Sequence, residues 1–288
     1  ERGFRTKNGS IRTPQSIQSY ATLATIIFQT NQNEQHGGQA IPAFDFFMAK
    51  GVAKSFRKHL ASFINFYVAM ENGNQADEKS IRTLIKEYLP SIKSTEAERE
   101  TLRIALVALQ IIIDKEHLAR IVEKAYQQTR KDTHQAMEGF IHNLNTMHSR
   151  GGNQVVFSSI NYGTDTSAEG RMVIEELLKA TIEGLGTRGE VPVFPIQIFK
   201  VKDGVSYSEK DFEKAMKAEN IEEAMTDSYE APNFDLLLKA CQTTAKALFP
   251  NFMFLDTPFN KNEKWKADDP QRYIYELATM GCRTRVFE

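Results

Sequence analysis

The chain has 288 residues, and its 37 acidic side chains nearly balance 36 basic ones. This near-neutral charge gives no indication of nucleic-acid or membrane-surface binding, and the most apolar run, "LRIALVALQIII", is far shorter than the ~20 residues of a membrane-spanning helix. Two cysteines cannot form a disulfide scaffold, so we expect a cytoplasmic protein with free thiols.

The first half of the chain is predicted to be helical. Apolar side chains recur at helical spacing in residues 13–33, and a second such pattern runs from Asp45 to about Glu71. Between these patterns, residues 35–45 contain two glycines and a proline, which favours a loop. The polar residues 72–80 are expected to form a linker.

A long amphipathic stretch follows, from about Ser94 to Ser149. It is too long for one ordinary helix, so two or more helices are expected. Its apolar stripe consists of Leu102, Leu106, Leu109, Ile113, Leu118, Ile121 and Ala125. The stripe is longer than one core face needs, and we therefore predict that the first helix projects into a contact with a second subunit.

The second half of the chain alternates strand and helix patterns. The predicted elements are strands at 153–160, 193–201 and 251–256 and helices at 166–186 and 233–250. Thr166 and Glu169 have the spacing of a capping box at the start of the first of these helices. Such alternation predicts an α/β fold with a largely parallel sheet, whose chemistry lies in loops beyond the carboxyl ends of the strands.

Motifs of common enzyme classes are absent from the sequence. There is no G-x-G-x-x-G, P-loop, C-x-x-C or H-E-x-x-H pattern, and the histidines lack partners at ligand spacing, so no metal site is expected. Cys241 shares a helical face with Leu237, Ala245 and Leu248, which predicts an inert buried thiol. Cys282, in the glycine turn "MGCRTR", can be either a core residue or a reactive tip.

Three glycine-containing loops are candidate ligand sites. Their candidate residues are His36, Gly37, Gly38 and Gln39 in the first, Arg150, Gly151, Gly152, Asn153 and Gln154 in the second, and Asn161, Gly163 and Thr164 in the third. Glycines let a ligand approach the backbone, amides can read base edges, and arginine suits phosphate. The alternative at each loop is an ordinary turn or helix cap, and in the third loop a capped helix with Asp165 at its positive end is favoured.

Collinear stretches of the sequence resemble the catalytic subunit of the anaerobic (class III) ribonucleoside-triphosphate reductases, a glycyl-radical enzyme family. They are "QHGGQAIP", "NLNTMHSRGGNQVVFSSINYGTD", "VPVFPIQIFKV", "APNFDLLLKAC" with "LFPNF", and "MGCRTR". The resemblance runs from about Pro14 onward and implies part of a ten-stranded α/β barrel with a helical dimerisation region. Residues 1–150 would hold the effector and dimer helices, and residues 151–288 a half-barrel ending in a finger loop.

The resemblance also implies a chemistry, the reduction of ribonucleoside triphosphates to deoxyribonucleoside triphosphates. Cys282 would carry the thiyl radical at the finger-loop tip, with Gly281, Arg283, Asn161, Gly163 and Thr164 near the substrate. Residues 36–39 and 150–154 would form effector and specificity loops that respond to ATP or deoxynucleotides.

The implied partners are a second copy of the chain, a radical-SAM iron–sulfur activating enzyme, and formate or a thiol as reductant. The family's glycyl radical, its structural zinc cysteines and its second active-site cysteine have no counterparts in the sequence. We therefore expect this chain to be a piece of a longer protein and to be inactive alone.

Two other classes remain open. A glycyl-radical enzyme of the formate-lyase type would carry adjacent cysteines on its finger loop, whereas Cys282 lies between Gly281 and Arg283. The other is a non-catalytic nucleotide-binding domain of the same fold. A radical-bearing glycine encoded downstream would discriminate between these classes.

Overall fold

The computed structural model describes residues 4–6, 9–34, 37–72, 77–147, 154–281 and 285–286. In chain order its helices and strands are β1 (Phe4–Thr6), β2 (Gly9–Ile11), α1 (Ile17–Glu34), β3 (Gln39–Ile41), α2 (Phe44–Asn72), α3 (Glu78–Tyr88), α4 (Glu96–Leu106), α5 (Lys115–Thr146), β4 (Ser158–Tyr162), α6 (Ala168–Glu183), β5 (Ile196–Val201), α7 (Glu209–Ala215), α8 (Ile221–Thr226), α9 (Phe234–Ala247), β6 (Asn251–Phe254), β7 (Ala278–Thr279) and β8 (Arg285–Val286). Short 3₁₀ turns follow α4 and precede β7.

The chain divides into two compact units. Glu1–Tyr20 and Lys50–Thr133 form the helical unit, and Ala21–Ala49 and His134–Glu288 form the sheet unit. The division predicted at residue 150 follows a change in composition and stays a prediction.

In the helical unit, α3 and α4 begin at well-formed caps. The Asp77 side chain accepts hydrogen bonds from the first turn of α3, and Thr95 and Glu98 form a capping box on α4. The predicted apolar stripe is largely internal, since Leu102, Leu106, Ile113, Leu118 and Ala125 are buried. Most of the stripe is therefore core.

The sheet unit is built on a parallel sheet in the order β3-β4-β5-β6. On one face, Tyr162 donates a hydrogen bond to Gln197 (2.8 Å), and Gln197 donates to Thr181 of α6 (2.8 Å). This face is thus the one that α6 covers. Because side chains alternate along a strand, Ser159, Asn161 and their neighbours in register, such as Ile196, lie on the opposite face, called the inner face below. The expected α/β fold with a parallel sheet is confirmed.

Three local predictions are wrong. The loop predicted at 35–45 contains β3, a strand of three residues, and the linker predicted at 72–80 includes the start of α3. Ser167, not Thr166, caps α6 through a bond from the Gly170 N–H (3.0 Å). The fourth residue of that pattern is then a glycine, so no capping box forms.

Cys241 was also placed wrongly. Of the residues on its face of α9, Leu237 is buried, but Ala245 and Leu248 are exposed, and Cys241 itself is exposed. Its surroundings still desolvate the sulfur enough to raise the pKa of the thiol. The side chain is therefore a surface thiol of low reactivity.

No helix in the described part of the chain is both long enough and apolar enough to cross a membrane.

The two faces of α4 should respond differently to truncation. Leu102 is fully buried, whereas the side chain of Ile104 is 60% exposed. We expect Leu102→Ala to lower the free energy of unfolding by about 2 to 5 kcal/mol and Ile104→Ala by less than about 0.5 kcal/mol, as measured by urea denaturation. Equal losses in the two variants would contradict the assignment of the stripe to the core.

Candidate active site

The turn after β4 is held by a buried carboxylate. The backbone N–H groups of Gly163, Thr164 and Asp165 all donate to Oδ2 of Asp45, at 2.8, 3.1 and 3.0 Å. Asp45 lies in the first turn of α2 and is completely buried. Gly163 has φ +120°, and a Cβ there would lie 2.9 Å from the backbone oxygen of Lys200, so glycine is required.

The carbonyl groups of the same turn are bound from the other side. Nδ2 of Asn233 donates to the carbonyl oxygens of Gly163 and Asp165, each at 3.0 Å. The Arg272 guanidinium donates to the carbonyl oxygen of Thr164 at 2.8 Å. With both its N–H and C=O groups bound, the turn has one conformation at the carboxyl end of the sheet.

The carboxyl groups of Asp45 and Asp165 influence each other's ionisation, because a negative charge on one disfavours a negative charge on the other. Burial raises the pKa of Asp45, although the backbone N–H groups of Asp165 and Gly163 and the charge on Lys200 act in the opposite direction. Burial, together with the charge on Asp45, raises the pKa of Asp165 to about 7. The N–H groups favour the charge on Asp45, so the proton resides on Asp165 at neutral pH and below.

A second buried carboxylate, Glu276, lies directly beside this turn. Its Oε2 accepts a hydrogen bond from Oγ1 of Thr164 (2.7 Å) and lies 3.0 Å from Nζ of Lys200. Its Oε1 accepts from Nε1 of Trp265 at 3.1 Å. The side chains of Lys200 and Glu276 are 1% and 0% exposed, which makes this a fully buried ion pair between β5 and the segment that leads into β7.

Next to Glu276 begins a hairpin that lies on the inner face of the sheet. Strands β7 and β8 pair antiparallel, with Thr279 opposite Arg285. Asn161 of β4 binds the backbone of Thr279 through both amide atoms, at 2.9 and 3.0 Å, and Oγ of Ser159 accepts from the Gly281 N–H at 2.8 Å. The hairpin is thereby fixed along β4.

A cavity of about 140 Å³ separates the hairpin from β5 and β6. Its lining includes Ile196, Ile198, Asn251, Met253, Thr279 and Gly281. The position of Gly281 matters here, because a Cβ on it would collide with the Ile196 side chain. The site is therefore a pocket of mixed polar and apolar lining, with the amides of Asn251 and Asn260 in its wall, beside the residue that precedes Cys282.

The structure brings together some predicted site residues and leaves others undescribed. Asn161, Gly163 and Thr164 gather beside the hairpin with Gly281, but their hydrogen-bonding groups are bound to protein partners. Their contact with a substrate stays a prediction. Cys282 and Arg283 lie outside the described residues.

The predicted effector loops are described in part. Residues 36 and 150–153 lie outside the described residues. Gln39 begins β3, its N–H donates to the Phe157 carbonyl oxygen (3.0 Å), and its amide donates to the carbonyl oxygen of Phe28 (2.9 Å). Gly37, Gly38 and Gln154 are described, but no ligand role follows from their positions, and the loop assignments stay predictions.

Sequence reasoning missed the charged residues that organise the site, namely Asp45, Lys200 and Glu276. A signal was present for one of them: Lys200 interrupts the apolar strand "IQIFKV", and a lysine is almost never fully buried without a partner. Its partner is not evident from the sequence, because Glu276 lies 76 residues further along the chain.

His134 has carboxylate neighbours that sequence spacing did not show. Its ring nitrogens lie 3.1 Å from Glu176 and 2.9 Å from Glu183, both in α6. Among the residues that the structure describes, no group of three or more histidine, cysteine or carboxylate side chains is arranged to hold a metal ion.

The fold and the site define an α/β protein in which a hairpin is fixed on the inner face of a parallel sheet. The family model for anaerobic ribonucleoside-triphosphate reductase matches residues 1–288. The chain therefore belongs to the anaerobic ribonucleoside-triphosphate reductase family.

Curated relatives agree with this assignment at low identity. The anaerobic ribonucleoside-triphosphate reductase of Enterobacteria phage T4 is 22% identical over 284 residues, which cover 99% of this chain and 34% of the phage protein. The enzymes of the same name from Salmonella typhimurium and Escherichia coli are each 22% identical over 282 residues, 98% of this chain and 28% of theirs. The chain thus spans about a third or less of these relatives.

The raised pKa of Asp165 predicts a pH-dependent stability. The folded state holds this proton up to pH about 7, whereas an unfolded aspartate releases it near its ordinary pKa of 3.8, so stability falls as the pH rises between these values. We expect the free energy of unfolding of the parent to decrease by about 2 kcal/mol more than that of Asp165→Asn between pH 5 and 8.

Urea denaturation at several pH values measures this difference, and Asp203→Asn, at an exposed position, is the control. Parallel pH profiles for the parent and Asp165→Asn would show that Asp165 does not hold the proton.

Proposed function

We propose that the protein containing this chain reduces ribonucleoside triphosphates to deoxyribonucleoside triphosphates under anaerobic conditions. The observation that carries the proposal is the hairpin, whose strands flank Cys282 and whose backbone is bound to Asn161 and Ser159 on the inner face of the sheet. Membership of the reductase family supports the same function.

In this proposal Cys282 supplies the reactive sulfur. Its thiyl radical takes the 3′ hydrogen atom of the ribose, so that an S–H bond forms, the C3′–H bond breaks and the unpaired electron moves to C3′. The exchange is feasible because the two bonds are of similar strength. A pocket closed to water protects such a radical. The cavity lined by Gly281, the residue before Cys282, supports a binding space beside this sulfur.

Further residues are proposed around this centre. Gly281 and Arg283 flank the sulfur and would contact the substrate, while Asn161, Gly163 and Thr164 shape the adjacent end of the sheet. We place residues 36–39 and 150–154 in loops that bind an ATP or deoxynucleotide effector and report the bound base.

The rest of the assembly is proposed from the family. The β3-β4-β5-β6 sheet would be part of a ten-stranded barrel, and the described strands leave the outer edges of β3 and β6 for further pairing. Helices of the first half would form a homodimer contact. A radical-SAM activating enzyme, formate or a thiol reductant, and a glycyl radical and zinc site carried elsewhere in the protein would complete the system in the cytoplasm.

Cys282→Ser should abolish reduction in the intact, activated protein, because an O–H bond is too strong to take part in the hydrogen exchange. Anaerobic assay of deoxynucleotide formation measures this, and effector binding should be unchanged. Cys241→Ser, at an exposed thiol on α9, is the matched control and should retain parental turnover. Turnover by Cys282→Ser would exclude the radical assignment.

Gly152→Val should reduce the change in substrate preference that each effector causes among the four substrates. Activity without effector should be affected less than this change. A β-branched residue restricts the backbone states of the loop at 150–154, and an effector shifts a loop only by its differential affinity for two states, typically about 1 to 3 kcal/mol. Assays with each effector in turn measure the switch. A variant that changes substrate preference as the parent does would contradict the loop assignment.

A further inference from the structure

We propose that Glu276 is a positioning residue. Through its bonds to Lys200, Thr164 and Trp265 it sets the position of the β7–β8 hairpin along the sheet. The inference rests on the proposed function, in which Cys282 is the reacting residue. It adds a role for a buried ion pair that the radical chemistry itself does not use.

The first step of the argument is the place of Glu276 in the chain. It precedes Leu277 and β7 directly, and Leu277 packs against the inner-face cluster of Ile198, Met253 and Leu255. The backbone between Glu276 and Gly281 is bound at Thr279 and Gly281. Movement of Glu276 along the sheet would therefore pull the whole of β7 with it.

The second step is the direction of its bonds. Lys200 and Thr164 belong to neighbouring strands or their ends, and both bind the same oxygen, at 3.0 and 2.7 Å. Trp265 binds the other oxygen at 3.1 Å. A carboxylate held at both oxygens by groups from three chain segments has one orientation, and so does the backbone that bears it.

The third step is that stability alone does not account for a buried ion pair. Removing two charges from water costs about as much as their attraction returns, and well-packed apolar residues often serve a core equally well. The Lys200–Glu276 pair instead fixes the position of the hairpin, because its hydrogen bonds are satisfied in one register of the hairpin on the sheet. The anchors at Thr279 and Gly281 are uncharged, so Glu276 is the charged link between the described hairpin and β5.

The test compares Glu276→Gln with the parent in the intact protein. Glutamine keeps the shape but leaves Lys200 without its counter-charge and presents an N–H group to a neighbouring donor. We expect exchange of the Thr279 and Gly281 backbone amides to become about tenfold faster, as measured by hydrogen–deuterium exchange of the peptide around 276–286. In the activated enzyme kcat should fall about 10- to 100-fold while KM for the triphosphate changes less than about twofold.

Two further variants separate positioning from general stability. Glu175→Gln breaks the ion pair with Lys239 (3.0 Å), which joins α6 to α9, and should change neither hairpin exchange nor kcat. Trp265→Phe removes one donor to Glu276 and should show the same pattern as Glu276→Gln at smaller size, about two- to fivefold. This milder variant keeps the test valid if Glu276→Gln does not fold.

The outcomes are distinct. Faster hairpin exchange with a fall in kcat at constant KM, absent from Glu175→Gln, supports the positioning role. Unchanged hairpin exchange in both Glu276→Gln and Trp265→Phe overturns it, as does an equal loss of kcat in Glu175→Gln. A parent protein without reductase activity contradicts the proposed function instead, because the exchange measurement needs no turnover.

Discussion

The binding of the Asp45 carboxylate by three consecutive N–H groups is the interaction on which the rest of the site depends. It forces the chain to turn sharply where β4 ends, and it holds Thr164 with its hydroxyl toward Glu276. Without the carboxylate, three buried donors would lose their partner, each at a cost of about 1 to 3 kcal/mol. Hence a residue at the start of α2 determines where the hairpin segment can attach.

Two carboxylates and two basic groups lie buried around the turn after β4, beside the protonated Asp165. Asp45 and Glu276 carry negative charge, Lys200 and Arg272 carry positive charge, and Asp165 is protonated at neutral pH and below. A neutral cluster of this kind avoids the cost of an uncompensated charge in the interior. The raised pKa of Asp165 follows from its burial and from the neighbouring charge on Asp45, against which the Arg272 charge acts.

The sequence predicted the alternating half of the fold well and the small elements badly. Strands β4 to β6 and helices α6 and α9 carry long, clear patterns, so their order and parallel pairing followed. Strand β3 has three residues beside a glycine pair, and its pairing with β4 comes from tertiary contact rather than from its own composition. Helix α3 begins inside a polar run, where a capping aspartate resembled linker sequence.

The site could be predicted where it depends on strand ends and not where it depends on distant partners. Parallel strands deliver their following loops to one edge of the sheet, and the turn of Gly163, Thr164 and Asp165 after β4 lies at that edge. The bond from Gly163 to Asp45 spans 118 residues, and that from Thr164 to Glu276 spans 112. No local pattern encodes such pairs, which explains why their carboxylates were missed.

The hairpin segment is bound in two different ways, at its backbone and at one side chain. The two kinds of bond have different effects on its position. Asn161 and Ser159 bind main-chain atoms of Thr279 and Gly281, so they fix the position of the strand whatever side chains it carries. Glu276 is bound through its side chain and therefore specifies which residue stands at the carboxyl end of the sheet. Because side chains alternate along a strand, a slip of one residue would turn the hairpin's side chains to the opposite face. A side-chain anchor before β7 together with backbone anchors along it excludes that slip, and it thereby determines that Thr279 and Gly281 line the cavity.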